Sequence, residues 1–444
     1  VPLSNVPQAK EAYPKQVKEL KQTRRGVARE RAVLVEIIDE TQEDQRGSGH
    51  RDRLEELGRL ADTAGAEVVA TMTQRRHRVN PSTYIGSGKV DELTALAKDS
   101  RAQVIIFGND LSPAQVRNLE KATDCKTIDR SELILDIFAT RARTSEARLQ
   151  VELAQLEYIQ PRLKRMWTHL SRMEGGGLGT RGPGETQLES DRRMVRDRIT
   201  DLRARLREID ARKEREVQSR AGAPTVGLVG YTNAGKSSLL NALTGADAYV
   251  ADKLFATLDT RTRGWELPYH LTVLLSDTVG FIRDLPHHLV ASFKATLEEA
   301  VHADLLLHVV DVSTEHVQAD LDAVGGVLAE IGCKEKPQLL VLNKVDLVED
   351  PVHLDLVRRA CPGSVAVSAK TGLGLDRLAR EVTDRLMGPP TEMTVRTAPR
   401  DGRLLAWIDR HATVLQKTIE DGEIVQVIRL PQRLAAELPR VARE

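Results

Sequence analysis

Val226-Gly227-Leu228-Val229-Gly230-Tyr231-Thr232-Asn233-Ala234-Gly235-Lys236-Ser237-Ser238-Leu239-Leu240 reads as a core strand, a glycine loop and the start of a helix. From Gly230 to Ser237 the residues match G-x-x-x-x-G-K-S/T in the strand–loop–helix setting the motif requires. Glycine lets backbone N–H groups approach an anion closely, and a helix N-terminus adds positive potential. Tyr231, Thr232, Asn233, Ala234 and Gly235 form the cradle, and Ser238 continues it into the helix. Lys236 is placed to reach β- and γ-phosphates, and the Ser237 hydroxyl to ligate Mg²⁺. The alternative is a plain glycine turn before a helix.

Further along, Leu274-Leu275-Ser276-Asp277-Thr278-Val279-Gly280 is a strand ending in D-x-x-G. Asp277 can hold Mg²⁺ through water, and the Gly280 N–H can meet a γ-phosphate. The motif is weak alone and gains weight from following the phosphate loop. Leu340-Val341-Leu342-Asn343-Lys344-Val345-Asp346 is a strand ending in N-K-x-D. The Asp346 carboxylate can accept from guanine N1–H and the 2-amino group together. Adenine lacks that donor pair, so this residue selects GTP over ATP. Asn343 can support the loop and meet N7, the Lys344 stem can cover the ring, and Ser368-Ala369-Lys370 completes the base pocket. Between the two phosphate motifs, Thr257 is the chosen hydroxyl for the Mg²⁺ shell, with Thr260 and Thr262 as rivals. A segment held only by γ-phosphate and Mg²⁺ is a switch.

Hydrolysis rests on Lys236, Thr257, Gly280 and Asn233 in this reading. Ras-type proteins orient the attacking water with a Gln just after D-x-x-G; here that position is Phe281. Slow intrinsic hydrolysis follows unless something else positions water. Asn233 in the phosphate loop can help ligate K⁺ beside the phosphates, so K⁺ or a docked partner is the expected source of the missing stabilisation.

Working outward, 444 residues are too long for one ordinary domain. Aromatics are 3% of the chain, so its cores must rest on Leu, Val, Ile and Ala. The net charge is zero, so composition alone neither indicates nor excludes a nucleic-acid partner, and any basic surface must come from local clustering; no DNA partner is expected. Cys125, Cys333 and Cys361 have no metal-type spacing and suit a reducing, cytoplasmic setting. No apolar run approaches a membrane span and no signal peptide is visible. The chain opens on Val1, so the natural N-terminus is expected to be missing or processed. A monomer is expected.

The expected fold class is α/β: a P-loop GTPase domain plus an N-terminal α/β domain, an antiparallel helical hairpin and a small α/β C-terminal domain. Residues 1–28 are polar, with a basic run at Lys21 to Arg25, and read as a mobile arm. Residues 29–130 alternate strands (Val33 to Val35, Val68-Val69, Val104 to Phe107) with helices (Leu54 to Leu60, Val90 to Leu96, Pro113 to Leu119), which argues a mainly parallel sheet. Residues 131–222 carry two helical stripes, Leu149, Leu153, Leu156 and Leu163, then Val195, Ile199, Leu202, Leu206 and Ile209. Gly175 to Gly184 between them cannot stay helical, so a hairpin with a glycine tip is expected. The G domain spans 223–388. Residues 389–444 form a small domain: a strand from Val395, a helix Leu404 to Ile408, and strands Val414 to Ile419 and Ile424 to Leu430 joined at Asp421-Gly422.

Several long stretches resemble the HflX family of ribosome-associated GTPases over nearly the whole chain. They are GGGLGTRGPGETQLE from Gly175, FATLDTRTR from Phe255, DTVGFIRDLP from Asp277, IDRSELILDIFATRAR from Ile128, Leu149 to Leu163, and STYIGSGKVDEL from Ser82. The hydrophobic Phe281 fits the same group. The resemblance implies docking on the large ribosomal subunit, with the hairpin and its glycine loop reaching toward rRNA of the peptidyl transferase centre, and GTP-dependent splitting of stalled or idle ribosomes. It also implies ATP binding by the N-terminal domain. However, Gly86-Ser87-Gly88-Lys89-Val90 lacks the leading Gly and the Ser/Thr of a phosphate loop, and reads as a turn before a helix. Asp259-Thr260-Arg261 departs from the family pattern and blurs which Thr is the switch residue.

Arg-rich helices beside a flexible loop can neutralise rRNA phosphates. Arg172, Gly179, Arg181, Arg192, Arg193 and Arg196 are the candidate RNA contacts. The bland alternative is a solvated helix face. Two rival functions remain. A tRNA-modifying GTPase of the K⁺-using kind would carry a C-terminal cysteine motif, whereas this chain ends Val441-Ala442-Arg443-Glu444. A non-ribosomal signalling switch would not cosediment with ribosomes.

Overall fold

The computed structural model describes residues 29–39, 50–163, 183–219, 223–245, 254–255, 261–283, 286, 299–420 and 422–441. Four strands form the N-terminal sheet: β1 (Arg31–Asp39), β2 (Glu67–Arg76), β3 (Val104–Phe107) and β4 (Lys126–Ile128). All are parallel, in the order β2-β1-β3-β4. Val33, Val35, Ile105 and Phe107 face one helical layer, while Ala32, Leu34, Val104 and Ile106 face the other. Burial on both faces is why these strands read as unbroken apolar runs rather than alternations.

Four helices cover this sheet: α1 (His50–Ala64), α2 (Ser87–Asp99), α3 (Pro113–Thr123) and α4 (Arg130–Arg141). Ser112 and Gln115 form a reciprocal capping box with Pro113 at the first position of α3. Gly86 precedes α2 in extended conformation, and Lys89 pairs with Glu92. The sheet's helical cover runs past residue 130, the expected end of this unit. Leu133, Ile134, Ile137 and Phe138 of α4 lie in one core with Ala32, Leu34 and Leu57.

Two helices follow, α5 (Ser145–Ile159) and α6 (Pro183–Ser219). At 1.5 Å per residue α6 is roughly 55 Å long. Leu149, Leu153 and Leu156 pack against Val195, Ile199, Leu202 and Leu206, the seam expected from spacing. Arg198–Glu152 and Arg203–Glu157 ion pairs bracket it. The opposite face of α5 (Ala147, Val151, Ala154 and Tyr158) is buried in the N-terminal core. Pro183 and Gly184, expected in the tip loop, instead open α6, since a proline costs nothing where its missing N–H would have no helical partner. Residues 164–182, with Arg172, Gly179 and Arg181, lie outside the described residues, as does Thr257.

The G domain sheet has the order β10-β9-β8-β5-β7-β6. Its strands are β5 (Thr225–Gly230), β6 (Arg261–Leu267), β7 (Leu271–Asp277), β8 (Leu305–Asp311), β9 (Gln338–Asn343) and β10 (Val365–Ala366). All pairings are parallel except β6 with β7. Its helices include α7 (Lys236–Thr244), α8 (Val317–Glu330), α9 (Pro351–Ala360) and α10 (Leu375–Met387). The C-terminal unit is a three-stranded antiparallel sheet, β11-β13-β12, with two helices. Its elements are β11 (Pro390–Thr397), α11 (Gly402–His411), β12 (Thr413–Glu420), β13 (Glu423–Pro431) and α12 (Gln432–Val441). β11 starts at Pro390 rather than Val395, because Thr391 to Thr394 already pair with Leu430 to Val427. That half of the strand is polar and largely exposed, so it gave no apolar signal. Among the described residues no helix is long and apolar enough to cross a membrane.

Candidate active site

The carboxyl ends of β5, β7, β8 and β9 meet at one edge of the sheet, the place where open α/β sheets present ligand-binding loops. β5 hands the chain to the phosphate loop at Gly230, which lies so close to β8 that a Cβ would come within 2.2 Å of the Val309 carbonyl oxygen. The loop turns through Asn233 in left-handed conformation (φ 63°), and Asn233 is exposed. Gly235 follows at φ 90°, pressed against Asn343. α7 starts at Lys236, so the N–H groups of its first turn have no partner within the helix and are available to an anion.

Lys236 is buried, and its Nζ donates to the carbonyls of Gly230 (2.9 Å) and Tyr231 (2.8 Å). Burial lowers its pKa to about 8, partly offset by Asp277. Ser237 Oγ donates to Asp277 Oδ2 at 2.6 Å. Two hard oxygens, a hydroxyl at the start of α7 and a buried carboxylate at the end of β7, suit a small divalent cation that takes its other ligands from water and phosphate. Two loop groups expected to face phosphates are satisfied inside the protein. The Thr232 N–H donates to the Phe281 carbonyl (2.7 Å) and the Ala234 N–H to Tyr231 (3.2 Å). Phe281 is buried and its N–H donates to the Gly230 carbonyl (3.1 Å), so the residue in the glutamine position is part of the core.

Asn343 holds the base loops together. Its Nδ2 donates to the Ala234 carbonyl (2.8 Å), and its Oδ1 accepts the Ala369 N–H (3.0 Å). Lys344 adopts φ 64°, which turns the chain into a single 3-10 turn, Val345–Leu347, and its Nζ meets Asp311 Oδ2 at 2.6 Å. Asp346 lies exposed in that turn. Ser368 is fully buried and its Oγ accepts the Thr371 N–H (3.1 Å), while Lys370 is exposed. Phosphate loop, D-x-x-G, N-K-x-D and Ser368-Ala369-Lys370 are thus gathered at one site.

Residues that the motifs did not single out also converge here. Glu56 on α1 accepts the Tyr231 hydroxyl and pairs with Arg130 at the start of α4. Arg130 also donates to the Arg283 carbonyl (2.8 Å), and the Arg283 guanidinium pairs with Asp320 on α8 (3.0 Å). Leu254, Phe255, Val279 and Ile282 sit in the N-terminal core, with Phe255 edge-on to Phe138. His308 on β8 is buried, and burial with the nearby Lys236 lowers its pKa to about 4, so it is neutral. Only IDRSELILDIFATRAR, quoted above as family-like, hinted at Arg130.

Four family profiles match in chain order. They are "GTP-binding GTPase N-terminal" over residues 51–139 and "GTP-binding GTPase Middle Region" over 141–220. "50S ribosome-binding GTPase" covers 225–344 and "HflX C-terminal domain" covers 355–442. GTPase HflX of Escherichia coli (strain K12) is 46% identical over 408 residues, 91% of this chain and 94% of that protein. GTPase HflX of Caldanaerobacter subterraneus subsp. tengcongensis is 48% identical over 367 residues, 82% of each chain. A crystal structure of a GTP-binding protein from Sulfolobus solfataricus in complex with GDP aligns over 80% of this chain and 98% of that one, at 27% identity and a TM-score of 0.42. The profiles cover nearly the whole length in chain order and the relatives named here are nearly half identical, so the chain belongs to the HflX family and is a GTP-binding GTPase.

Proposed function

We propose that this chain is a GTP-dependent ribosome-binding factor. It docks on the large ribosomal subunit near the peptidyl transferase centre, splits stalled or idle ribosomes, and leaves after hydrolysing GTP. The observation that carries the reading is the charge on α6. Arg198 and Arg203 are drawn into pairs with Glu152 and Glu157, whereas Arg193 and Arg196 are exposed and make no ion pair among the described residues. Exposed guanidinium groups on a long rigid rod suit phosphate contacts without sequence readout. The match to the profile described as a 50S ribosome-binding GTPase supports the same partner. Arg192 is half-buried beside them, and Arg172, Gly179 and Arg181 are proposed as further RNA contacts on their sequence alone.

At the nucleotide site, Lys236 and the first turn of α7 hold the phosphates, and Asp346 selects guanine with support from Asn343, Lys344 and Ser368-Ala369-Lys370. Ser237 and Asp277 hold Mg²⁺, joined by Thr257 when GTP is bound. The cation neutralises charge on the β- and γ-phosphates. Gly280 offers its N–H to the γ-phosphate. Asn233, exposed at the turn of the loop, helps ligate K⁺, which supplies stabilisation that Phe281 cannot. Equal hydrolysis rates in Na⁺ and K⁺ would remove that role.

Cosedimentation with purified large subunits in a non-hydrolysable GTP analogue tests the ribosomal reading. Arg193→Glu with Arg196→Glu should weaken binding and flatten its salt dependence by about two counter-ions. Unchanged binding would remove α6 from the interface, and no cosedimentation of the unaltered chain would remove the ribosome.

A further inference from the structure

We infer that Glu56 and Arg130, from the N-terminal domain, are positioning residues for the GTPase site: they clamp residues 281–283 onto the phosphate loop and so bias the site toward GDP over GTP. The inference rests on the nucleotide site alone and is independent of the ribosome.

The Tyr231 hydroxyl is the node. It donates to one Glu56 carboxylate oxygen and accepts the Arg283 backbone N–H at 3.0 Å. Arg130 donates to the other Glu56 oxygen and to the Arg283 carbonyl at 2.8 Å. Both backbone groups of Arg283 are therefore held, one by the phosphate loop and one by the N-terminal domain. Phe281 is held just as completely, its N–H by Gly230 and its carbonyl by Thr232. Val279 and Ile282 are buried in the N-terminal core, which adds an apolar anchor on the same side.

This clamp has a steric consequence. Gly280 is pressed so close that a Cβ would lie 2.9 Å from Thr232 Cα and 3.0 Å from Lys236 Nζ. Lys236 Nζ itself rests on the loop carbonyls. A γ-phosphate must reach both Lys236 Nζ and the Gly280 N–H, so Gly280 has to retreat to admit it. A diphosphate ends short of Gly280 and demands no retreat. Whatever stabilises the clamped arrangement therefore acts against the triphosphate alone, because a ligand is affected only through the state it prefers. Glu56 and Arg130 are both buried, so their bonds to Tyr231 and Arg283 are shielded from water.

The test uses the full chain and two fluorescent ligands, GDP and a non-hydrolysable GTP analogue. Glu56→Gln keeps the shape and weakens the bonds to Tyr231 and Arg130. The expected result is a tighter analogue Kd, by about five- to tenfold for one weakened charge-assisted bond, with GDP affinity unchanged. Tyr231→Phe removes only the hydroxyl and should shift the same ratio the same way; it decides the matter if Glu56→Gln does not fold. The double variant should shift the ratio no further than the larger single one, since both act through one contact. An unchanged ratio, or both affinities falling together as from general damage to the loop, would overturn the inference.

Discussion

Ser237 Oγ donates to Asp277 Oδ2 at 2.6 Å and so joins the first turn of α7 to the end of β7. Both oxygens are hard donors of the kind Mg²⁺ takes, and both come from rigid elements. Asp277→Asn keeps the shape and removes the charge. GTP should then bind equally well with Mg²⁺ or with EDTA, whereas the unaltered chain should gain about tenfold or more from the cation. A surviving Mg²⁺ effect in the variant, read by titration calorimetry, would place the metal elsewhere.

Lys236 predicts a pH effect. Burial lowers its pKa from the usual 10.5 to about 8. Phosphates need the cation, so nucleotide affinity should hold below pH 8 and fall above it, by up to about tenfold per unit. In the free chain the unfolded form holds more protons than the folded one between about 8 and 10.5, so this group makes stability rise with pH across that window. Affinity that stays flat from pH 7 to 9.5 would show that Lys236 keeps its proton.

Asp346 is exposed in a 3-10 turn whose direction Lys344 sets through its left-handed backbone. Asp346→Asn replaces an acceptor pair with an acceptor and a donor. Guanosine nucleotides should weaken on the order of 100-fold, the cost of two charge-assisted bonds. Xanthosine nucleotides, whose C2 carries a carbonyl, should gain. Competition between the two bases measures the exchange; unchanged preference would take Asp346 out of base recognition.

Glu132 carries a prediction about stability. Burial raises its pKa to about 7, with Lys126 opposing and Asp136 and Asp129 adding to the rise. The folded chain therefore holds more protons than the unfolded one between about 4.5 and 7, and this residue's contribution to stability falls as pH rises through that range. Glu132→Gln should stabilise the chain at pH 8 by roughly 1–3 kcal/mol and have little effect at pH 4.5. Thermal melts at both values check it; equal effects at both would mean the carboxyl is not held protonated.

The nucleotide site was legible because each of its parts is a short run with a fixed chemical job. The backbone path from Gly230 to Ser237 and the strand before Asn343 need those residue types in that order. The seam of α5 and α6 was legible for a similar reason, since 4-3 spacing of Leu and Ile puts one stripe on one face. Glu56 and Asp320 were not legible in the motifs, and Arg130 only as part of a family-like stretch. Each is a charged residue on a helix in sequence terms, and only the gathering of α1, α4 and α8 around Tyr231 and Arg283 turns them inward. β11 was read short because half of it shows polar side chains to water. The start of α4 coincides with the expected boundary near 130, and its apolar residues pack on the N-terminal sheet, a contact that helical spacing alone does not reveal.

The most direct test of the account is GTP hydrolysis at fixed K⁺ with and without purified large ribosomal subunits. Phe281 is locked in the core by Gly230 and Thr232 and cannot orient water, so the free chain should turn over slowly. Large subunits should raise the rate strongly, by about tenfold or more, as a partner that supplies missing transition-state contacts does. No stimulation across a titration of large subunits, together with no cosedimentation, would contradict the ribosome as the partner of this GTPase.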